Sequence, residues 1–263
     1  MRIATYNIWN SPSNWDQRRY AIADELNHIE ADFIALQEAP NQATPSQTLA
    51  DFLRSETQFD QVNYALEPVV GEGDWPEGLV VLSHSSVEQS IANWKRDFNT
   101  HNSWALTSVF SWNDLRISVT NVHLDWESQE SRRSAMAHTV EHMIAPTSCD
   151  IDFILGDFND ESDVCEFPAL NNADSGWRDP VAEWYTINGL NEPPTIDPHT
   201  NPRWANDETK EDPLRFDRIF VRLNATSLTC SVTSAGIFGK TPNNRYGIVA
   251  SDHYGVVVDV EFK

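Results

Sequence analysis

Apolar and polar positions follow regular periods along much of the chain, and these periods predict its strands and helices. Residues 3–9 alternate between apolar and polar side chains, which predicts a β-strand. Residues 13–30 place Ile22, Leu26 and Ile29 on one face, which predicts an amphipathic helix. The chain therefore begins with a strand followed by a helix.

The same pattern continues to the end of the chain. Further strands are predicted at residues 33–36, 62–66, 79–83, 104–110, 115–122, 151–155, 216–223, 228–233 and 254–262, and further helices at 45–54 and 128–144. Residues 160–213 are polar, rich in Pro, Asn and Asp, and predicted to be mostly loop. A loop of that length inside a compact domain is usually functional. Many strands with few helices indicate a layered α/β protein, and without a recognisable linker we expect a single domain, 1–263.

Composition and charge narrow the classes of function. Hydrophobic residues make up 40% of the chain, with ten Trp, which excludes a disordered acidic tail. The chain has 40 acidic and 18 basic residues, for a formal net charge of −22. Such a charge disfavours a protein that holds long nucleic acids through a broad basic face, because phosphate contacts need Lys and Arg.

Cysteine usage and hydropathy point to an intracellular protein. The three cysteines (Cys149, Cys165 and Cys230) are too few for a disulfide framework or a zinc ribbon. No apolar run approaches the ~18 residues of a membrane span. The sequence starts without a charged-then-apolar leader, so we expect a cytoplasmic protein.

Polar residues with catalytic potential stand at the ends of predicted strands. They are Asn7, Glu38, His123, Asp157, Asn159, Asp217, Asp252 and His253. Ligand sites in layered α/β folds commonly form at strand ends and in the loops that follow them. Carboxylate and amide oxygens suit a hard cation such as Mg²⁺, and histidines can transfer protons near neutral pH. The set therefore predicts one shared site.

The motifs that carry these residues resemble those of the endonuclease/exonuclease/phosphatase superfamily, in that family's order. They are Thr5-Tyr6-Asn7, Leu36-Gln37-Glu38, Asn121-Val122-His123-Leu124, Gly156-Asp157-Phe158-Asn159, Phe216-Asp217-Arg218-Ile219-Phe220 and Ser251-Asp252-His253. The amino-acid sequences of the last two motifs are most similar to those of the tyrosyl-DNA phosphodiesterase branch. The resemblance implies an α/β/β/α sandwich, in which two mixed sheets are flanked by helices. It also implies metal-dependent phosphoester hydrolysis, with Mg²⁺ as the cofactor and Mn²⁺ as a substitute.

The resemblance also assigns roles to the metal-facing residues. Glu38 would be the principal metal ligand, with Asn7 beside it and Asp252 as a further ligand. Asp157 would orient or deprotonate the attacking water, and Asn159 would hold a phosphoryl oxygen. These roles match what in-line phosphoryl transfer requires, namely positioning and neutralisation of oxygen charge.

The remaining roles belong to the two histidines. Asp217 would hydrogen-bond His253, fix its tautomer and favour its charged form beside the phosphate. His123 would act near the scissile phosphate as a hydrogen-bond donor or acid.

The substrate stays open. Where the tyrosyl-DNA branch carries a phosphate-contacting arginine, residues 160–163 are acidic here, and Pro194-Thr195-Ile196-Asp197 stands where that branch has an aromatic residue. Four loop tryptophans could stack a base or sugar, or cover the core: Trp75, Trp177, Trp184 and Trp204. We expect a monomer acting on a phosphoester, with nucleic-acid ends or short strands as one option. A sphingomyelinase- or inositol-phosphate-type enzyme and a non-catalytic binding relative are the alternatives.

Two further patterns have simpler explanations. Residues 234–241 nearly match a phosphate-binding P-loop, but Ser234 replaces the first glycine and Pro242 follows where a helix is needed, so we predict a loop. His138 and His142 are spaced to share a helix face, but no third metal ligand accompanies them, and we expect both to be solvated.

Overall fold

The strands form two large mixed sheets in a computed structural model. The structure describes residues 1–66, 77–93, 103–160, 167–171, 174–206 and 212–263. In the first sheet the strands lie in the order Cys230–Phe238, Gly255–Phe262, Arg2–Asn7, Phe33–Pro40, Glu77–Ser83 and Gln61–Leu66. In the second sheet the order is Trp177–Arg178, Asp217–Leu223, Ile151–Asp157, Leu115–His123, Trp104–Trp112 and Val87–Asn93. A short hairpin, Gln42–Thr44 with Gln47–Thr48, lies outside both sheets.

The strand bounds extend most of the predicted strands by a few residues. They are β1 Arg2–Asn7, β2 Phe33–Pro40, β3 Gln42–Thr44, β4 Gln47–Thr48, β5 Gln61–Leu66, β6 Glu77–Ser83, β7 Val87–Asn93, β8 Trp104–Trp112, β9 Leu115–His123, β10 Ile151–Asp157, β11 Trp177–Arg178, β12 Asp217–Leu223, β13 Cys230–Phe238 and β14 Gly255–Phe262. The edge strand β7 was not predicted from the sequence. None of its residues is buried, and the exposed ones, Glu88 to Ser90, are consecutive and so lie on both faces, which removes the alternation that marks a strand.

Five α-helices accompany the sheets in the described part of the chain. They are α1 Trp15–Ile29, α2 Leu49–Glu56, α3 Gln129–His138, α4 Pro168–Asn171 and α5 Pro180–Ile187. The helix predicted at 45–54 starts late because residues 42–48 form the small hairpin and the Thr48 side chain caps α2 by accepting from Asp51 N. The prediction that residues 160–213 are mostly loop missed α5, which Asp179 caps and Pro180 opens.

Three apolar clusters stack these elements into four layers. The inner faces of the two sheets meet in a core that includes Ile3, Phe33 and Phe153. Helices α1 and α2 cover the outer face of the first sheet. Helix α3 and the π-helical turn that continues it, Thr139–Ile144, cover the second sheet. The expected α/β/β/α sandwich is confirmed. No helix within the described ranges is long and apolar enough to cross a membrane.

Candidate active site

The candidate site lies where the central strands of both sheets end. Asn7 is the last residue of β1, and His123 and Asp157 are the last residues of β9 and β10. Asp157 is paired in register with His123 on one side and with Asp217, the first residue of β12, on the other. The register of the second sheet therefore brings these three side chains together, as the sequence analysis expected from strand ends.

Asn7 links the two sheets through its side-chain amide. Its Nδ2 donates to Glu38 Oε1 and to Asp157 Oδ2, both at 2.9 Å. Its Oδ1 accepts from the backbone N–H of Trp9 at 3.0 Å, which fixes the amide orientation. The second Glu38 oxygen, Oε2, accepts from Asn10 N at 2.7 Å. Asn7 thus presents N–H groups, and not its oxygen, to the carboxylates.

Unusual backbone conformations aim several of these side chains. Glu38 has a φ of 53° and lies at an irregularity in the pairing of β2 with β6. Asn159 has a φ of 48°. Its backbone N–H donates to Asp157 Oδ1 at 3.0 Å, and its Nδ2 donates to Leu124 O at 2.8 Å. Non-glycine residues in the left-handed region are concentrated at functional sites, where the surrounding structure holds the strain.

Two histidines approach the same oxygen of Asp157. His253 Nε2 lies 3.8 Å and His123 Nε2 3.9 Å from Asp157 Oδ2. The indole of Trp104, which is opposite His123 in the β8–β9 register, stacks on the His123 ring with centroids 5.3 Å apart. Asp157 Oδ2, with Asn7 and both imidazoles around it, is the centre of the site.

Asp217 holds His253 in one orientation. The Nδ1 of His253 lies 2.9 Å from Asp217 Oδ2, and both side chains are buried. Burial by itself lowers the pKa of His253, but the Asp217 carboxylate, helped by Asp157 and Asp252, outweighs it and holds the pKa well above the usual range. Burial also raises the pKa of Asp217, the other member of this pair. The geometry places Nδ1 of His253 against Asp217 and leaves its Nε2 facing Asp157.

Asp252 stands beside this cluster without joining it. Burial, with a contribution from Glu38, raises the pKa of Asp252 to about 6, although His253 opposes the shift. The Oγ of Ser251 donates to Asn7 O at 2.7 Å and lies 3.3 Å from Asp252 Oδ1. Among the described residues, the groups whose ligand atoms all lie within 4.8 Å are Glu38 with His123 and Asp157, and Asp157 with Asp217 and His253. Asp252 is in neither.

The long polar segment holds the two halves of the site, a role that sequence reasoning assigned to no particular residue. Thr195 Oγ1 accepts from the backbone N–H groups of Phe216 and Asp217, both at 3.1 Å. Asn201 Nδ2 donates to the carbonyls of Ser251 and Asp252 at 3.1 and 3.0 Å. These buried polar side chains fix the backbone on which Asp217 and His253 are mounted.

Arg18 is a further supporting residue that the sequence did not single out. Its side chain is fully buried and donates to four backbone carbonyls, of Ile8, Trp9, Ser11 and Ala250. Burial lowers the pKa of Arg18 to about 10, which leaves it charged at neutral pH. The signal was present in the sequence, because position 18 falls on the same helix face as positions 22, 26 and 29.

The four loop tryptophans have different surroundings. Trp177 is buried, with the Arg222 guanidinium 4.6 Å from its ring centroid. Trp204 Nε1 donates to Asp252 O at 3.0 Å, and Trp184 packs edge-on against Tyr185. Trp75 lies outside the described residues, as do residues 161–163 of the acidic stretch. Of the tryptophans that the structure describes, Trp126 is the one with an exposed side chain, at 54%.

The near match to a P-loop and the pair of histidines on one helix face form no ligand site among the described residues. Residues 230–238 form β13, and no helix follows them in the described residues up to 263, so no P-loop forms. The rings of His138 and His142 lie 4.6 Å apart. Neither belongs to a cluster of potential metal ligands among the described residues. His142 is exposed as expected, whereas His138 is half-buried, with its Nε2 3.0 Å from Asn93 Nδ2.

The donor set of the site fits a hard divalent cation. Glu38 and Asp157 supply carboxylate oxygens to one small volume, and Asp252 adds negative charge beside Glu38. Oxygen-rich, anionic sites of this kind suit Mg²⁺ and Mn²⁺. The same volume is bordered by the His253 imidazole and the Asn7 amide, whose N–H groups can donate hydrogen bonds to anionic oxygens.

One family of known proteins matches nearly the whole chain. A sequence model described as the Endonuclease/Exonuclease/phosphatase family matches residues 4–253. The search of curated proteins finds no match.

Solved structures share the fold over the whole chain. The truncated TDP2 of Caenorhabditis elegans is 18% identical, with a TM-score of 0.70, over 100% of this chain and 97% of that one. D. rerio TDP2, complexed with a single-strand DNA product, is 18% identical, with a TM-score of 0.73, over 99% and 98%. The Bacteroides thetaiotaomicron mannosyl-6-phosphatase Bt3783 is 16% identical, with a TM-score of 0.71, over 99% of both chains.

Proposed function

Because the chain belongs to the endonuclease/exonuclease/phosphatase family, we propose that it is a metal-dependent phosphoester hydrolase that uses an activated water for in-line attack on phosphorus. The observation that carries the proposal is the convergence of Glu38, His123, Asp217 and His253 around Asp157. These five side chains come from both sheets and from positions up to 215 residues apart, 253 − 38, so chain proximity does not bring them together.

Glu38 is the residue we propose as principal holder of Mg²⁺ or Mn²⁺, with Asp252 as a further ligand. When bound, the cation neutralises phosphoryl oxygen charge and lowers the pKa of a bound water. Asn7 holds the Glu38 and Asp157 carboxylates in place. For its own oxygen to ligate the cation, its amide must turn and give up the bond from Trp9 N.

Asp157 is the proposed base. Its Oδ1 accepts from Asn159 N and its Oδ2 accepts from Asn7, which fixes the carboxylate plane. A carboxylate has about four lone-pair sites, so it retains capacity to orient a water and accept its proton. Asn159 uses one N–H of Nδ2 on Leu124 O and has a second with which to hold a phosphoryl oxygen.

The two histidines stabilise the charge of the transition state in this proposal. His253 donates from Nε2–H to a phosphoryl oxygen, because its Nδ1 is engaged by Asp217. His123 stands on the other side of Asp157 Oδ2 and acts as donor or as acid to the leaving oxygen. Donors preorganised in a buried site are worth more than the same groups in water.

The proposed substrate is a phosphoester of a nucleic-acid end, a short strand or a small molecule. In support, one structural neighbour is a TDP2 complexed with a single-strand DNA product and another is a mannosyl-6-phosphatase.

The proposal keeps two expectations from the sequence, a monomer and a cytoplasmic location. Light scattering after size-exclusion chromatography and cell fractionation would test them.

A substrate panel tests the function. It compares 5′-phosphotyrosyl DNA, single-stranded DNA, RNA, sphingomyelin, inositol phosphates and an aryl phosphodiester, each with Mg²⁺, Mn²⁺ or EDTA. We expect hydrolysis of at least one substrate, its loss in EDTA and a loss of about 10³-fold or more in Asp157→Asn. Calorimetric titration of Glu38→Gln should show weakened Mg²⁺ binding.

Asp51→Asn is the matched control, because Asp51 is an exposed helix residue paired with Arg54. Its activity should equal that of the wild type. An inactive wild type would favour a non-catalytic relative, and full activity of Asp157→Asn would contradict the assigned base. Hydrolysis restricted to sphingomyelin or inositol phosphates would select the alternative substrate classes.

A further inference from the structure

Trp126 is an exposed aromatic side chain three residues after His123 in the chain. In the described part of the chain, three large apolar side chains are mostly in water: Trp126 at 54%, Leu190 at 53% and Ile187 at 81%. Ile187 is the last residue of α5, which packs on β12 and β13, and Leu190 follows three residues after the helix ends. Trp126 follows His123 by only three residues, so its Cα lies within about 11 Å of the His123 Cα.

The backbone that carries Trp126 is held on the catalytic segment. The N–H of Leu124 donates to Asp157 O at 3.0 Å, and Leu124 O accepts from Asn159 Nδ2 at 2.8 Å. Leu124, two residues before Trp126, is therefore attached directly to the strand end that carries the proposed base and to the proposed phosphoryl-binding amide.

Asp125 fixes the rest of the turn. Its side chain is fully buried, and its Oδ1 accepts from the backbone N–H groups of Glu127 at 2.8 Å and Ser128 at 3.3 Å. Its carbonyl accepts from Arg132 Nη1 at 3.0 Å, and its own N–H donates to Ser103 Oγ at 3.2 Å. The indole is thus an exposed apolar group on an anchored turn, and no ring among the described residues stacks on it.

We propose that Trp126 is the surface on which an aromatic ring of the substrate stacks, either a nucleobase or a phenol carried next to the scissile phosphate. The inference rests on the proposed function and narrows its substrate class. Stacking needs no positive charge. It therefore suits a protein of net charge −22 that has few Lys and Arg side chains to bind phosphates. A rigid aromatic side chain also binds a ring with little loss of conformational entropy.

Steady-state kinetics of Trp126→Ala, Trp126→Phe and Leu190→Ala test the inference. Two substrate pairs separate the sources of the ring: a dinucleotide against its abasic counterpart, and an aryl phosphoester against an alkyl one. Calorimetry with a nucleoside 5′-monophosphate and with ribose 5-phosphate gives a binding readout that is independent of turnover. Leu190 is the matched control, because its exposure of 53% is close to the 54% of Trp126 and it lies in a different segment, after α5.

We expect Trp126→Ala to raise KM for the ring-bearing member of the accepted pair by about tenfold, the order expected for one ring stacked on an aromatic side chain, and to leave kcat within twofold. Trp126→Phe should retain most of the affinity, and the abasic or alkyl member should change less than twofold.

The inference would be overturned if Trp126→Ala raised KM equally for both members of each pair. It would also be overturned if the variant raised KM only for sphingomyelin in vesicles. The inference would also be overturned if the wild type were active and Trp126→Ala had the same KM for the ring-bearing substrate. A wild type inactive on every phosphoester would instead refute the proposed function on which the inference rests.

Discussion

The buried Arg18 offers the most direct test of how the site is assembled. Its guanidinium donates to Ala250 O at 2.7 Å, Ser11 O at 2.8 Å and Trp9 O at 2.7 Å, and also to Ile8 O. Three of these carbonyls belong to the loop after Asn7, and the fourth precedes the Ser251–His253 segment. Arg18 therefore ties the loop that positions Glu38 to the segment that positions His253.

The perturbation is Arg18→Met, which keeps much of the volume and removes all donors. A buried carbonyl left without its partner costs about 1–3 kcal/mol, so four of them set an upper bound of about 4–12 kcal/mol. Removing a buried charge returns part of this, because its desolvation penalty disappears. We expect a net loss of about 3–5 kcal/mol in the free energy of unfolding. Arg18→Lys should lose less, since an ammonium keeps the charge but has only three donors.

Activity should fall further than stability alone explains. A displacement of about 1 Å between catalytic groups can cost about 10²-fold in rate, so kcat/KM of the folded Arg18→Lys fraction should drop by that order. Urea unfolding and kinetics on the same preparations provide both numbers. Arg54→Met is the control: its exposed pair with Asp51 is worth about 0–1 kcal/mol. Stability within 1 kcal/mol of the wild type and unchanged kcat/KM in Arg18→Met would refute the reasoning.

Four other predictions follow from the geometry and charge. Asp217→Asn removes the carboxylate that raises the pKa of His253. The fall in kcat/KM that accompanies deprotonation of His253 should therefore move to lower pH by at least about one unit, and an unmoved pH profile would contradict the pairing. In the wild type, the stability from this raised pKa is fully present below the unfolded value of about 6.5 and is lost as pH rises through the folded pKa, so urea titrations should show it decline at alkaline pH. Gly156→Ala should destabilise by about 3 kcal/mol or more in thermal unfolding, because a Cβ there would lie 2.0 Å from Val122 O at a φ of 144°; a wild-type Tm would contradict this. Raising NaCl from about 0.05 to 1 M should raise Tm by several degrees, since salt screens the self-repulsion of 22 net negative charges, and a falling Tm would show that specific ion pairs dominate.

Most of the fold could be predicted because hydrophobic periodicity is local. The strands of both sheets, except β7 and the two-residue β11, fall on apolar runs or alternations, and α1 and α3 have a periodic apolar face. The misses are elements whose burial is decided by their neighbours. Strand β7 is an exposed edge, the hairpin of β3 and β4 delays α2, and α5 lies inside a segment whose overall composition is typical of loops.

The candidate site divides in a similar way. The sequence by itself determined the chemistry, because the carboxylates, amides and histidines were identifiable as a set at strand ends and in ordered motifs. Only the tertiary structure decided their arrangement: Asp157 Oδ2 at the centre, the Asn7 amide turned with N–H groups inward, and Asp252 outside the tight cluster. These facts depend on strand register, the left-handed φ of Glu38 and the packing of one sheet on the other.

The supporting residues show the physical reason most clearly. Arg18, Thr195 and Asn201 act by bonding to backbone carbonyls or N–H groups that are distant in the chain. No local pattern encodes such a bond, since its partner is selected only when the two segments pack and water is excluded from between them. The sequence therefore determined which side chains could do chemistry, and the packed structure decided which of them share one oxygen and which hold the others in place.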